Sequence, residues 1–136
     1  MCDTNSRETN SPAASTVRID RVYEGRAPDD DARILVDRLW PRGLARDRAD
    51  LDEWCQQVAP STALRSWYGH DAEKFPEFQR RYRAELRDPE RAEALHHLAE
   101  IAQQMRLALL TATRAVEISA AAVLADVLGE TAHRTR

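Results

Sequence analysis

The sequence predicts an α/β layered domain in which a small, mostly parallel sheet is flanked by helices. Two segments near the front, residues 17–23 and 33–40, carry strand patterns, and residues 107–112 (LALLTA) form an apolar run typical of a parallel strand buried on both faces. Between and after them the apolar residues recur at helical spacing. The order strand, strand, several helices, strand, helix leaves crossovers long enough for parallel pairing. With 136 residues, 43% of them hydrophobic, the chain is long enough for one domain with its own core.

Residues 1–16 are rich in Ser, Thr, Asn and Pro and are expected to be a disordered tail. They lack the apolar stretch of a secretory leader, so a cytoplasmic protein is expected. In residues 17–23, Val17, Ile19 and Arg21 alternate with Arg18, Asp20 and Val22, the pattern of a half-buried strand. Residues 24–32 read as a loop. The second strand, residues 33–40, puts Ile34, Val36, Arg38 and Trp40 on one face and Leu35, Asp37 and Leu39 on the other.

Asp50 opens a D-L-D-E capping box, which predicts a helix with Trp54, Cys55 and Val58 on one side, ended by Ala59-Pro60. Ser61 caps a second short helix carrying Leu64 and Trp67, stopped by Gly69. Phe75, Phe78, Tyr82 and Leu86 mark the buried face of a third, with Pro76 in its first turn. Asp88-Pro89-Glu90 starts a fourth, with Leu95, Leu98 and Met105 pointing inward. After the strand at 107–112, residues 117–128 form an alanine-rich helix with Gly129 as its stop. The ordered domain is thus expected over residues 17–129, with 130–136 as a flexible tail.

Charge and composition narrow the functional classes. A net charge of −3 gives no general attraction to nucleic acid or to an anionic membrane, and no apolar run is long enough to cross a bilayer. The stripe Arg80, Arg83, Arg87 reads as a solvated helix face. Cys2 and Cys55 form no C-x-x-C motif. The adjacent His96 and His97 point about 100° apart on a helix, so no metal site is predicted. There is no G-x-G-x-x-G, P-loop or G-x-S-x-G motif, and no cofactor is expected. Lys74 is the only lysine among 20 basic residues. Composition favours a general bias toward arginine, although guanidinium forks also suit carboxylates and phosphates.

The candidate chemistry lies at the strand ends, residues 37–43 and 111–114, where α/β sheets bind ligands. Asp37 shares a face with leucines and requires a partner. One reading is an ion pair or a backbone-bonded carboxylate; the other is a general base or substrate-orienting group with a raised pKa. Arg38 and Arg42 flank Trp40 between Pro41 and Gly43. With Ser61 and Arg65 on the short helix they define a pocket for a small anionic ligand, if that helix starts opposite the strand ends. His70 and Asp71 form either a proton-transfer couple or a helix end followed by a cap. Asp37 and His70 are therefore the candidate acid/base residues, and Arg38, Trp40, Arg42, Ser61 and Arg65 the candidate ligand-binding residues. The alternative is a non-catalytic structural or interaction module whose Asp and Arg residues form internal ion pairs.

The blocks RVYEG, RILVDRLWPRG, APSTALRSWYGHD and RYRAEL, in this order, resemble the YeaO-like family of small bacterial proteins, a domain of unknown function. The resemblance covers residues 17–128 and implies a compact α/β domain without assigning a reaction. A further family block resembles A-[KR]-D-x-x-H-N. Ala115, Ile118 and Ser119 stand here at its aspartate, histidine and asparagine positions. The resemblance thus implies that chemistry requiring those groups is lost in this chain.

Overall fold

The computed structural model describes residues 17–24 and 32–134, with side chains through Glu130. The tail expected at 1–16 and most of the loop at 24–32 lie outside the described residues. Four parallel strands form one sheet: β1 (Val17–Arg21), β2 (Ala32–Leu35), β3 (Glu53–Trp54) and β4 (Leu107–Thr111), in the spatial order β1-β4-β2-β3. The apolar run at 107–111 takes the centre and is fully buried, as expected of a strand covered on both faces.

The longer helices pack on one face. They are α2 (Thr62–Tyr68), α3 (Phe75–Glu85), α4 (Pro89–Gln104) and α5 (Ala120–Arg134). Ile34, Val36, Leu107 and Leu109 meet Leu64, Phe78, Tyr82, Leu98 and Leu124 there. On the opposite face, Leu35, Ala108, Leu110 and Val22 are covered by Trp40, Leu44, Leu51 and Trp54. That cover belongs to residues 40–54, which also form the short helix α1 (Arg46–Ala49).

The predicted helix 2 cap is correct in detail: Ser61 Oγ accepts from Leu64 N–H at 3.1 Å, and Gly69 ends α2 in the left-handed region at φ +53°. Phe78 and Tyr82 are buried on α3, and Pro76 lies in its first turn. Four expectations are corrected. The second strand stops at Leu35, and Trp40 packs with Leu35 instead of sharing the face of Ile34 and Val36. The D-L-D-E segment is no helix, because Glu53 and Trp54 pair with Ile34 and Leu35. There Asp52 N–H donates to Arg33 C=O and Cys55 N–H to Leu35 C=O, both at 2.8 Å. Sheet pairing outweighs a local cap signal.

The last two corrections concern helix ends. The final helix starts at Ala120, after a 3₁₀ turn over Val116–Ile118, and runs through Gly129 to Arg134. Met105 caps the end of α4 and is 39% exposed instead of pointing inward. The arginine stripe on α3 is partly neutralised: Arg80 and Arg81 pair with Glu77, and Arg83 with Glu130.

Candidate functional site

The parallel strands end around a cavity of roughly 420 Å³. Val36 still belongs to the sheet edge, its N–H donating to Leu110 C=O at 3.1 Å. Asp37 then turns its carboxyl onto the end of β4. Oδ1 accepts from Thr111 Oγ1 and Oδ2 from Ala112 N–H, each at 2.8 Å. The backbone-bonded form of the structural reading is therefore present. Among the described residues no cation lies within ion-pair distance of this carboxyl. Burial pushes its pKa above the ordinary 3.8, against the lowering influence of the Ala112 and Thr111 hydrogen bonds and the electrostatic influence of His70 and Arg65.

A raised pKa means that the native state keeps the Asp37 proton where the unfolded chain has released it. This stabilisation is complete below the ordinary carboxylate pKa and is lost as pH rises through the raised value. Asp37→Asn cannot ionise, so it is expected to flatten that segment of the stability–pH curve. Denaturant midpoints between about pH 3.5 and 7 test this. A curve identical to that of the unmodified protein would contradict it.

After Asp37 the chain forms a loop whose backbone is held by side chains. Trp54 Nε1–H donates to Asp37 C=O at 2.8 Å, and Gln56 Nε2–H to Arg38 C=O at 3.0 Å. Tyr23 Oη–H donates to Arg42 C=O at 2.9 Å, and Trp40 Nε1–H to Leu44 C=O at 2.7 Å. Trp40 and Trp54 meet edge to face, 5.2 Å between ring centroids, and the Arg46 guanidinium lies 4.6 Å from the Trp40 ring centroid. Gly43, at φ +77°, supplies the left-handed residue that lets the loop turn.

Arg38 and Arg42 are exposed on this fixed loop, and their side chains make no hydrogen bond or ion pair with the described residues. Across the cavity, Arg65 is half-buried on α2, and its Nε–H is buried without an acceptor among the described residues. Tyr68 and Phe78 supply an aromatic wall, with rings stacked 4.1 Å apart. Tyr68 Oη–H is tied to Ile118 C=O at 2.6 Å. Thr113 and Ser119 complete the side formed by β4 and the start of α5.

Of the residues singled out in the sequence, Asp37, Arg38, Trp40, Arg42, Arg65 and His70 line this one cavity. Ser61 does not. Its N–H and hydroxyl donate to the Glu85 carboxylate, at 2.8 and 2.5 Å, so a protein carboxylate already occupies the start of α2. His70, left-handed at φ +58°, borders the cavity, whereas Asp71 accepts from Glu73 N–H at 3.0 Å and caps the next turn. The cap geometry at Asp71, not a His–Asp couple, is what forms. Sequence reasoning passed over Tyr68 and read Phe78 only as core, and Thr111 was marked only as a strand-end residue.

Cys55 and the adjacent His96 and His97 lie outside the cavity lining. Cys55 is buried, with its thiol pushed up to about 11 chiefly by desolvation and then by the Glu53 charge. Native protein is expected to leave Cys55 unlabelled by a thiol-specific reagent, and denaturant to expose it, as read by peptide mass spectrometry. Rapid labelling under native conditions would contradict that environment. His96 and His97 are exposed and face different carboxylates, Glu100 at 3.2 Å and Glu53 at 2.9 Å. Among the described residues no three His, Cys, Asp or Glu side chains could hold one metal ion. No described helix is long and apolar enough to cross a membrane.

The fold and the site define a single-domain α/β protein with an arginine-rimmed pocket beyond the strand ends. The chain belongs to the YeaO-like DUF488 family, matching over residues 16–136 the group described as the inactive DUF488-N3 subclade. It is 47% identical over 112 residues to an uncharacterised protein of Mycobacterium tuberculosis, covering 82% of this chain and 92% of that one. An uncharacterised protein of Mycobacterium bovis is similar to the same degree. The uncharacterised Escherichia coli protein YeaO is 38% identical over 112 residues, 82% of this chain and 96% of YeaO. No solved structure matches.

Proposed function

We propose that this protein binds a small anionic molecule in the pocket between the Asp37–Gly43 loop and α2, without transforming it. The observation that carries this reading is the set Arg38, Arg42 and Arg65. These three guanidinium groups border one cavity, and none is paired to a described carboxylate. An anion would supply the acceptor that Arg65 Nε–H lacks, and guanidinium forks favour carboxylate or phosphate oxygens. Binding without turnover is supported by Ala115 and Ile118 at positions where the family places ionisable groups, and by the description of the subclade as inactive.

A melt screen against phosphates, nucleotides and carboxylates tests the reading. A ligand at a hundredfold excess over its Kd adds about 2.7 kcal/mol to stability, a shift of several degrees. Arg65→Met and Arg42→Ala are expected to remove that shift while the proteins stay folded. The absence of any shift in the unmodified protein would end the proposal. The alternative, an interaction module held by internal Asp–Arg pairs, has less support, because Asp37 bonds to a hydroxyl and an amide.

A further inference from the structure

We propose that Asp37 makes this pocket select anions that carry their own hydrogen-bond donor, monohydrogen phosphate and its like, over fully deprotonated anions such as sulfate. The inference rests on the anion-binding reading above and assigns its ligand class. Asp37 lines the same cavity as the three arginines, yet no described cation pairs with it. Its two internal partners are neutral, and each carboxylate oxygen takes one of them. A carboxylate accepts at about four lone-pair sites, so each oxygen retains capacity for a further donor.

The groups around this carboxyl are Thr111 and Ala112 at the end of β4, Arg65 on α2, His70 after it, and Arg38 and Arg42 on its own loop. Tyr82 lies beneath, with its hydroxyl committed to Val58 C=O. None is an anion that would let Asp37 act as a neutral spectator to a bound one. Arg65 and Asp37 line one cavity and Arg65 acts electrostatically on the Asp37 carboxyl, so a tetrahedral anion seated on Arg65 would turn oxygens toward Asp37. Sulfate offers only acceptors and meets the carboxylate with like charge against like charge. Monohydrogen phosphate has nearly the same size and the same charge, and one O–H. Turned toward Asp37, that O–H replaces the repulsion by a charge-assisted hydrogen bond. A carboxylate facing the ligand disfavours an analogue that lacks the matching donor, because the two negative charges then meet with no hydrogen bond between them.

Isothermal titration with sodium phosphate and sodium sulfate at matched ionic strength, near pH 8 and above the second phosphate ionisation, separates the outcomes. The expected result is phosphate binding about tenfold or more tighter than sulfate. In Asp37→Asn the amide can donate to either ion, and the two affinities are expected to converge. Equal affinities in the unmodified protein, or tighter sulfate, would overturn the selection while leaving the anion pocket intact. Binding of neither ion would overturn this inference, and the melt screen with nucleotides and carboxylates would then decide the pocket reading separately. The ratio in the unmodified protein decides the question even if the variant folds poorly.

Discussion

Arg33→Met is expected to destabilise the fold by about 3 kcal/mol or more, the range for removing one partner of a buried charged network. Arg33 is 1% exposed at the start of the second strand. Its Nε–H donates to Asp50 C=O at 2.8 Å, and one terminal nitrogen donates to Glu24 C=O at 3.0 Å and Ala49 C=O at 3.2 Å. These carbonyls lie in the turn after the first strand and at the end of α1, where Asp50 turns left-handed at φ +52°. The side chain therefore ties the turn after β1 to the end of α1. Methionine keeps much of the volume, so the loss would come from stranded carbonyls and not from a cavity. Arg33→Lys keeps the charge without the planar fork, and an intermediate loss is expected. Urea midpoints measure both, and a Met variant as stable as the unmodified protein would contradict this assignment.

Phe78→Ala is expected to cost about 3–5 kcal/mol. Phe78 is 1% exposed, with its ring centroid 4.1 Å from that of Tyr68 and 5.7 Å from that of Tyr82. It sits where α3 meets both α2 and the sheet, and its ring also forms part of the cavity wall. Truncation removes the buried ring and merges the void with the pocket. Phe78→Leu fills more of that space and is expected to lose no more than about half as much. A thermal or urea melt separates the three proteins. Near-equal stability of Phe78→Ala and the unmodified chain would place the core elsewhere.

The elements that sequence pattern made legible are those in which local signal and tertiary demand agree. The apolar run 107–111 read as a doubly buried strand and is one, and the Ser61 and Gly69 caps fixed both ends of α2. The failures come from long-range pairing. Asp50 to Glu53 looks like a capping box, but Asp52 Oδ2 accepts from Arg33 N–H at 2.7 Å and Glu53 joins the sheet. Gly129 reads as a helix stop in isolation, yet the neighbouring Leu128 is buried against the core and the helix continues.

The site shows the same division. Asp37, Arg38, Trp40, Arg42, Arg65 and His70 do come together, because strand ends and the α2 turn meet on one side of the sheet. Ser61 was misplaced for a reason no local rule contains: Glu85, 24 residues along the chain, reaches back to its N–H and hydroxyl. Arg33 was hidden as one polar residue in an apolar run, and only the fold reveals the carbonyls around it. At the altered third block, Ile118 C=O accepts from Tyr68 and its N–H donates to Ala115 C=O, and Ser119 caps α5, with Ala122 N–H donating to its Oγ at 3.3 Å. These positions now serve structure.

The buried Nε–H of Arg65 provides the most direct test of the anion pocket. In a nitrogen–proton correlation spectrum titrated with sodium phosphate, the Arg65 Nε–H signal is expected to move as it gains an acceptor. The amides of Ala112 and Thr113 should move with it, and those along α4 should stay unchanged. Saturation without any movement of Arg65, or shifts confined to another face of the protein, would contradict an anion site at the strand ends.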